Sequence, residues 1–231
     1  MKTRYFMRII FVRHGNPNYE LDCLTELGHV QAESAAERLK GEGIEAIFSS
    51  TCGRALETAA HTAEKIGISI TPCDFMREID WTSKDGTPVF QNGHPWYYAD
   101  EYICAGKCLN DVDWQNDPLY SKTKTPASVE AVGRGLDEWL VGLGYEREGY
   151  YYKVREEKYK TVAMFCHGGS FAAAVTHLLN LPMPLVLLLI PLQQTGIFEL
   201  ELTGEQGSLI TPRLYKANGT RHLLNDNIKV T

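Results

Sequence analysis

Apolar residues along this chain gather in three short runs that stop abruptly at small or polar residues. They are Ile9 to Val12 before Arg13-His14-Gly15, Ala46 to Phe48 before Ser49-Ser50, and Val162 to Cys166 before His167-Gly168-Gly169. Short apolar runs bounded in this way have the character of strands buried on both faces. Helical spacing follows each run: Ala32, Ala35, Ala36 and Leu39 after the first, Ala55, Ala59, Thr62 and Ile66 after the second, and Phe171, Val175, Leu178 and Leu179 after the third. Strands that alternate with amphipathic helices predict a three-layer α/β fold, with a mostly parallel central sheet and helices on both faces. Ser69 to Cys73 and Ile197 to Leu202 read as further strands, and Val129, Val132, Leu136, Leu140 and Leu143 mark another helix. Thr25 suits an N-cap before Glu26, although Gly28 stands where a capping box would place Glu or Gln. Tyr150 to Lys160 is charged and rich in tyrosine, so it is expected as a surface extension.

Periodicity fades between Asp85 and Thr125, where Gly86, Pro88, Gly93, Pro95, Gly106 and Pro118 stand beside Trp96, Tyr97, Tyr98, Tyr102 and Trp114. An unstructured surface loop would not favour so many aromatic residues, so residues 85–125 are expected to pack as a lid or cap insertion over the site. With 231 residues, 44% of them hydrophobic, the chain is long enough to form one domain, 1–231, around a sizeable core.

Charge narrows the partners. A formal net charge of -6 argues against a general nucleic-acid surface. A small anionic substrate stays compatible with it, because a few arginines in a cleft set the local potential. The six cysteines, 23, 52, 73, 104, 108 and 166, are scattered, and no export segment is read at the N-terminus, so reduced thiols and a cytoplasmic location are expected, with Cys104 and Cys108 as ordinary buried thiols. The longest apolar run, Leu185 to Leu192, is interrupted by Pro191 and is well below the roughly 18 residues that suggest a membrane span. His29, His61, His177 and His222 show no converging partners in the sequence and are expected in surface or packing roles.

In open α/β sheets ligands bind beyond the carboxyl ends of the strands, which places Arg13, His14 and His167 on one crevice, with Arg54 reaching it from the following helix. Two imidazoles and two guanidiniums suit a phosphoryl group, whose oxygens match the planar fork of Arg. Gly168 and Gly169 at a helix start would offer backbone N–H groups to the same anion. Neutral His14 is a competent nucleophile at physiological pH. Glu78, in Met76-Arg77-Glu78-Ile79-Asp80, can reach the crevice mouth to protonate a leaving alcohol, and Asp80 is its rival for that role. Arg54 has a plainer alternative, an ion pair with Glu57 on its own helix worth about 0.2–0.5 kcal/mol.

Taken in order, Arg13-His14-Gly15, Ser49-Ser50 with Arg54-Ala55-Leu56-Glu57-Thr58-Ala59, and Cys166-His167-Gly168-Gly169 resemble the histidine phosphatase superfamily in its phosphoglycerate-mutase-like branch. The resemblance runs from residue 9 to about residue 202 and leaves out the aromatic insertion and the C-terminal tail. It implies a phosphoglycerate-mutase-like fold, His14 as the phosphorylated nucleophile, Arg13, Arg54 and His167 as the phosphate clamp, and Glu78 as proton donor. It also implies no cofactor and no metal. The expected partner is a small phosphorylated substrate or inorganic phosphate, with neither nucleic acid nor membrane.

Mutases of this family typically read Arg-His-Gly-Glu-Ser-x-Trp-Asn at the first motif, where this chain has Arg13-His14-Gly15-Asn16-Pro17-Asn18-Tyr19-Glu20. That difference favours a phosphomonoester hydrolase working through a phosphohistidine, with Asn16 or Asn18 as a substitute substrate contact. Phosphoglycerate mutase-type transfer and a noncatalytic phosphate-binding module are the alternatives.

Overall fold

The computed structural model describes residues 3–86, 95–225 and 228–229, without the side chains of 95–99 and 225. Pro88 and Gly93 of the insertion lie outside the described residues, as do the side chains of Trp96, Tyr97 and Tyr98.

The chain opens with β1 (Arg4–Arg13), a small hairpin of β2 (Pro17–Asn18) and β3 (Cys23–Leu24), and helix α1 (Glu26–Leu39). Next come β4 (Ala46–Ser49), α2 (Gly53–Ile66) and β5 (Ile70–Pro72), followed by a 3-10 turn at Asp74–Met76. The expected insertion contains α3 (Pro95–Cys104), a 3-10 turn at Trp114–Asn116 and α4 (Pro118–Ser121). The rest is α5 (Thr125–Gly142), β6 (Tyr145–Glu148), β7 (Tyr151–Val154), β8 (Thr161–Cys166), α6 (Gly168–Leu179) and α7 (Met183–Leu189). It ends in β9 (Ile197–Glu205), β10 (Leu209–Ile210), β11 (Arg213–Gly219) and α8 (Arg221–Asn225).

The central sheet has six strands in the order β11-β9-β1-β8-β4-β5. It is mixed: β1, β8, β4 and β5 are parallel, and β9 alone runs antiparallel to both of its neighbours. Alternation along β1 explains the three layers, because successive side chains of a strand leave opposite faces. Met7, Ile9 and Phe11 enter one core with α5, α6 and α7, while Ile10 and Val12 enter a second with Leu39 of α1 and Ala59 of α2. In β8, Val162, Met164 and Cys166 face the first core and Ala163 and Phe165 the second. Both faces are covered, which is why these strands carry unbroken apolar runs.

Thr25 caps α1 as expected, its side chain accepting from the Gly28 N–H at 3.1 Å. The Tyr150 to Lys160 expectation needs correction. Most of its charged residues are exposed, but Tyr152 and Val154 are fully buried from β7, and Tyr145 of β6 joins them in the larger core. The expectation of buried thiols at Cys104 and Cys108 is corrected: both are exposed, on the insertion, whereas Cys52, Cys73 and Cys166 are buried; all six cysteines are free. Among the described residues no helix is long and apolar enough to cross a membrane.

The described part of the insertion leaves and returns at one place. Ser83 bridges Thr123, the Lys84 N–H donates to the Lys122 carbonyl, and the Lys124 N–H donates to the Thr82 carbonyl. Its buried aromatics belong to the larger core: Tyr120 meets Trp114 edge to ring with centroids 5.1 Å apart and Tyr102 at a tilt with centroids 5.7 Å apart.

Candidate active site

Strand register builds the crevice. Arg13 lies beside Cys166 across β1 and β8, the His14 N–H donates to the Cys166 carbonyl at 2.9 Å, and the Ser50 N–H donates to the Phe165 carbonyl at 2.9 Å. His14, Ser50 and His167 therefore all step off the carboxyl ends of adjacent parallel strands, where α/β sheets bind ligands.

His14 is 1% exposed and His167 0%, with ring centroids 5.1 Å apart. The Nδ1 of His14 lies 2.7 Å from the Gly15 carbonyl oxygen. A carbonyl only accepts, so Nδ1 carries the proton and Nε2 keeps its lone pair. Burial, and then the positive charge of Arg13, hold this imidazole at a pKa of about 3, so the ring is neutral at physiological pH. The loop behind it is tightly packed. The Gly15 N–H donates to Thr58 Oγ1 at 3.0 Å, and a Cβ on Gly15 would stand 2.6 Å from the Gly28 carbonyl oxygen, so only glycine lets α1 approach this closely.

His167 is likewise neutral: burial, and then His14 and Arg54, depress it well below the ordinary histidine value. The Ser50 hydroxyl accepts from the Cys52 N–H at 3.2 Å and lies 2.8 Å from His167 Nε2, fixing the ring in place. His167 is thus uncharged rather than a cation. Its Nδ1 is buried with no hydrogen-bond partner, as are the Nε atoms of Arg13 and Arg54. Leaving a buried polar atom unpaired costs about 1–3 kcal/mol, and three of them at one crevice mark an acceptor-binding seat.

Each guanidinium is anchored from behind. Arg13 Nη1 donates to the Leu192 carbonyl at 2.9 Å. Arg54, 8% exposed at the start of α2, pairs through Nη1 with Asp22 Oδ1, and Asp22 Oδ2 accepts from the Gly53 N–H at 2.8 Å. Asp22 therefore caps α2 and orients Arg54 together. The Glu57 alternative is not what forms, since Glu57 accepts from the Leu24 N–H at 2.6 Å. Arg54 also lies 5.4 Å from the ring centroid of Tyr19.

Of the two rival acids, Glu78 is the one held at the crevice. Its carboxylate accepts from the Ser170 N–H at 3.0 Å, the Gly169 N–H at 3.3 Å and its neighbour Ile79 at 3.0 Å. Burial nevertheless raises its pKa, against these donors and the charge of Arg13. Asp80 is exposed and turned away: it accepts from Thr82 and pairs with Lys124 at 2.9 Å, and these outweigh partial burial to keep its pKa below the usual value. This also corrects the expectation for the helix start. The N–H groups of Gly169 and Ser170 hold the Glu78 carboxylate, and for Gly168 only burial beside His167 is established. Gly169 must lack a side chain, because a Cβ there would lie 2.4 Å from Glu78 Oε1 and 2.4 Å from Trp81.

Asn16 sits beside the nucleophile but is engaged in structural contacts. Its Oδ1 accepts from Thr25 Oγ1 at 2.7 Å, its Nδ2 donates to Gln194 at 3.3 Å and its N–H donates to Gln31 at 2.7 Å. Sequence reasoning does not find Asp22, which is 32 positions from Arg54 and carries no local signal. It quotes Ser50 and Thr58 within motifs without a role. Of the five other histidines, His94 lies outside the described residues and four have partners: His29 meets His61 at 3.1 Å, His61 meets Glu33 at 3.1 Å, His177 meets Asp137 at 2.8 Å and His222 meets Thr195 at 3.2 Å.

Comparison with known proteins agrees with this geometry. The family model of the histidine phosphatase superfamily (branch 1) matches residues 9–102. The glucosyl-3-phosphoglycerate phosphatase of Mycobacterium tuberculosis is 29% identical over 187 residues, covering 76% of this chain and 77% of its own. The structure of the mycobacterial glucosyl-3-phosphoglycerate phosphatase with inorganic phosphate superposes with a TM-score of 0.62 at 25% identity, covering 94% of this chain and 99% of that one. A phosphoserine phosphatase from Entamoeba histolytica, solved with 3-phosphoglyceric acid, has a TM-score of 0.61 at 23% identity over 94% of this chain and 99% of its own. Residues 9–102, which carry the Arg13-His14-Gly15 turn, Arg54 and Glu78, thus match the histidine phosphatase superfamily (branch 1), and over most of its length the chain is similar to phosphatases.

Proposed function

We propose that this protein hydrolyses small phosphate monoesters through a phosphohistidine on His14. One observation carries the proposal: His14 is neutral with its proton on Nδ1, so a bare Nε2 stands by the charges of half-buried Arg13 and buried Arg54, at a crevice where burial raises the pKa of Glu78. In the first step Nε2 attacks phosphorus, the ester P–O bond breaks, and the leaving oxygen takes the Glu78 proton. In the second step the Glu78 carboxylate removes a proton from water, whose oxygen attacks phosphorus. The P–N bond then breaks, returning neutral His14 and inorganic phosphate. Arg13, Arg54 and the unpartnered ring nitrogen of His167 bear on the equatorial oxygens, and removing one preorganised donor typically raises the barrier by about 3–4 kcal/mol.

Residues 1–231 form one domain in this proposal, and 85–125 cap the crevice. The antiparallel closure at Ser83 and Thr123, five residues beyond Glu78 at its nearer end, supports that placement. Named relatives act on phosphoserine and on glucosyl-3-phosphoglycerate, which supports a small phosphorylated metabolite as substrate. Phosphate release from p-nitrophenyl phosphate and a metabolite panel, with EDTA present, is the test. Release that disappears in His14→Ala, with 32P trapped as an acid-labile adduct on the intact protein, is the expected result. Interconversion of 2- and 3-phosphoglycerate without net release would overturn it in favour of a mutase.

A further inference from the structure

Arg77 immediately precedes Glu78 in the segment between β5 and the insertion, and it plays no part in the phosphate seat described above. Its Nη1 donates to Thr51 Oγ1 at 3.0 Å, and Thr51 in turn donates to Asp74 Oδ1 at 2.7 Å. Thr51 directly follows Ser50, the residue that bonds His167. The guanidinium is therefore tethered at the rim of the crevice, one residue outward from the phosphate seat, and its charge reaches the His167 ring. Among the described residues it forms no ion pair, and Arg77 is exposed. Tethering through one nitrogen leaves the rest of its donor fork open at the mouth.

Neighbouring residues 77 and 78 point in different directions: Glu78 turns inward onto the start of α6, and Arg77 turns outward onto Thr51. A leaving alcohol protonated by Glu78 has its ester carbon at that carboxyl. With Arg77 exposed, tethered to Thr51 next to Ser50 and adjoining Glu78 in the chain, its guanidinium is the cation placed to meet substituents one or two atoms further along the substrate. A planar carboxylate is the group that a guanidinium fork matches with two parallel hydrogen bonds.

We infer that Arg77 reads a second anionic group on the substrate, a carboxylate one or two carbons from the phosphate ester, and so selects phosphorylated hydroxy or amino acids over neutral-tailed esters. This rests on the phosphomonoesterase proposal and names the substrate class for the same site. The test compares matched pairs that differ in the carboxylate: O-phosphoserine against O-phosphoethanolamine, and 3-phosphoglycerate against glycerol 3-phosphate. In the intact protein kcat/KM favours the carboxylate member by about tenfold or more, the scale of one charge-assisted hydrogen bond. In Arg77→Ala the ratio collapses toward one, and Arg77→Lys recovers part of it. A ratio near one in the intact protein, or one that Arg77→Ala leaves unchanged, overturns the inference. Equal loss on both members of a pair would assign Arg77 to the phosphate clamp and overturn it as well. Dissociation constants of the same esters, measured by calorimetry on His14→Ala with and without Arg77→Ala, give the ratio independently of turnover. Failure of hydrolysis is thereby separated from failure of selectivity.

Discussion

The carboxylate of Glu78 rests on the N–H of Ser170, 3.0 Å away at the first turn of α6, so the acid and the helix that begins at His167 are one rigid unit. Burial raises its pKa while the helix start favours its ionised form, and the carboxyl is suited to give a proton and take one back. Glu78→Gln is expected to lower kcat by about 10²–10⁴ on alkyl phosphates and much less on p-nitrophenyl phosphate, whose phenolate leaves without a proton. Asp80→Asn should stay within about 0.5 kcal/mol of the parent stability, because it disturbs only an exposed pair. Steady-state kinetics on both esters, with thermal melts, check this. Equal losses on the two esters would remove Glu78 from the acid role.

The pH profile follows from two opposite shifts. His14 ionises near pH 3, so its protonation does not form the acid limb between pH 4 and 7. Glu78 is raised, so its active protonated form persists above the ordinary carboxylate range, and phosphorylation slows as pH rises through that higher value. Stability carries the His14 sign separately. The unfolded chain binds a proton near pH 6.5 that the folded chain refuses until about pH 3, so this contribution falls as pH drops through that window. Denaturant midpoints from pH 7 to pH 4, compared between the parent and His14→Gln, isolate it.

Gly169→Ala should displace Glu78 without dismantling α6. A methyl group there meets Glu78 Oε1 and Trp81 at 2.4 Å, and overpacking of this kind typically costs about 1–3 kcal/mol. The expected result is a melt that remains cooperative at lower temperature, and a catalytic loss that follows leaving-group pKa as in Glu78→Gln.

Asp22 acts through Arg54. Asp22→Ala removes both the pair with Arg54 and the acceptor for the Gly53 N–H, and loss of a helix cap alone costs about 0.5–2 kcal/mol. Phosphate affinity, measured as product inhibition, should weaken along with kcat/KM. Asp22→Asn keeps an acceptor for Gly53 and should retain stability while losing the orientation of Arg54.

What the sequence makes legible is what strand ends dictate. Val12, Phe48 and Cys166 close runs buried on both faces, so the residues after them had to share a crevice, and Arg13, His14 and His167 do. Glu78 is nameable, but its choice over Asp80 depends on contacts 91 and 92 positions away, which no spacing encodes. Asp22 is hidden for the same reason. The β6–β7 hairpin is misjudged because a period of two, with Tyr152 and Val154 inward and Tyr151 and Lys153 outward, lies beneath a charged composition. Tyrosine can bury its ring whatever its neighbours carry.

Strand β1 carries the nucleophile, and both of its sheet partners, β8 and β9, lie beyond residue 160. Thr195 of the later loop donates its N–H to the Arg13 carbonyl and meets His222 near the end of the chain. This strand is thus made well before either of its neighbours, and residues 1–160 alone hold His14 without the pairing that aims it. Until β8 and β9 have been made, β1 is exposed to misassembly and the crevice at its carboxyl end cannot form.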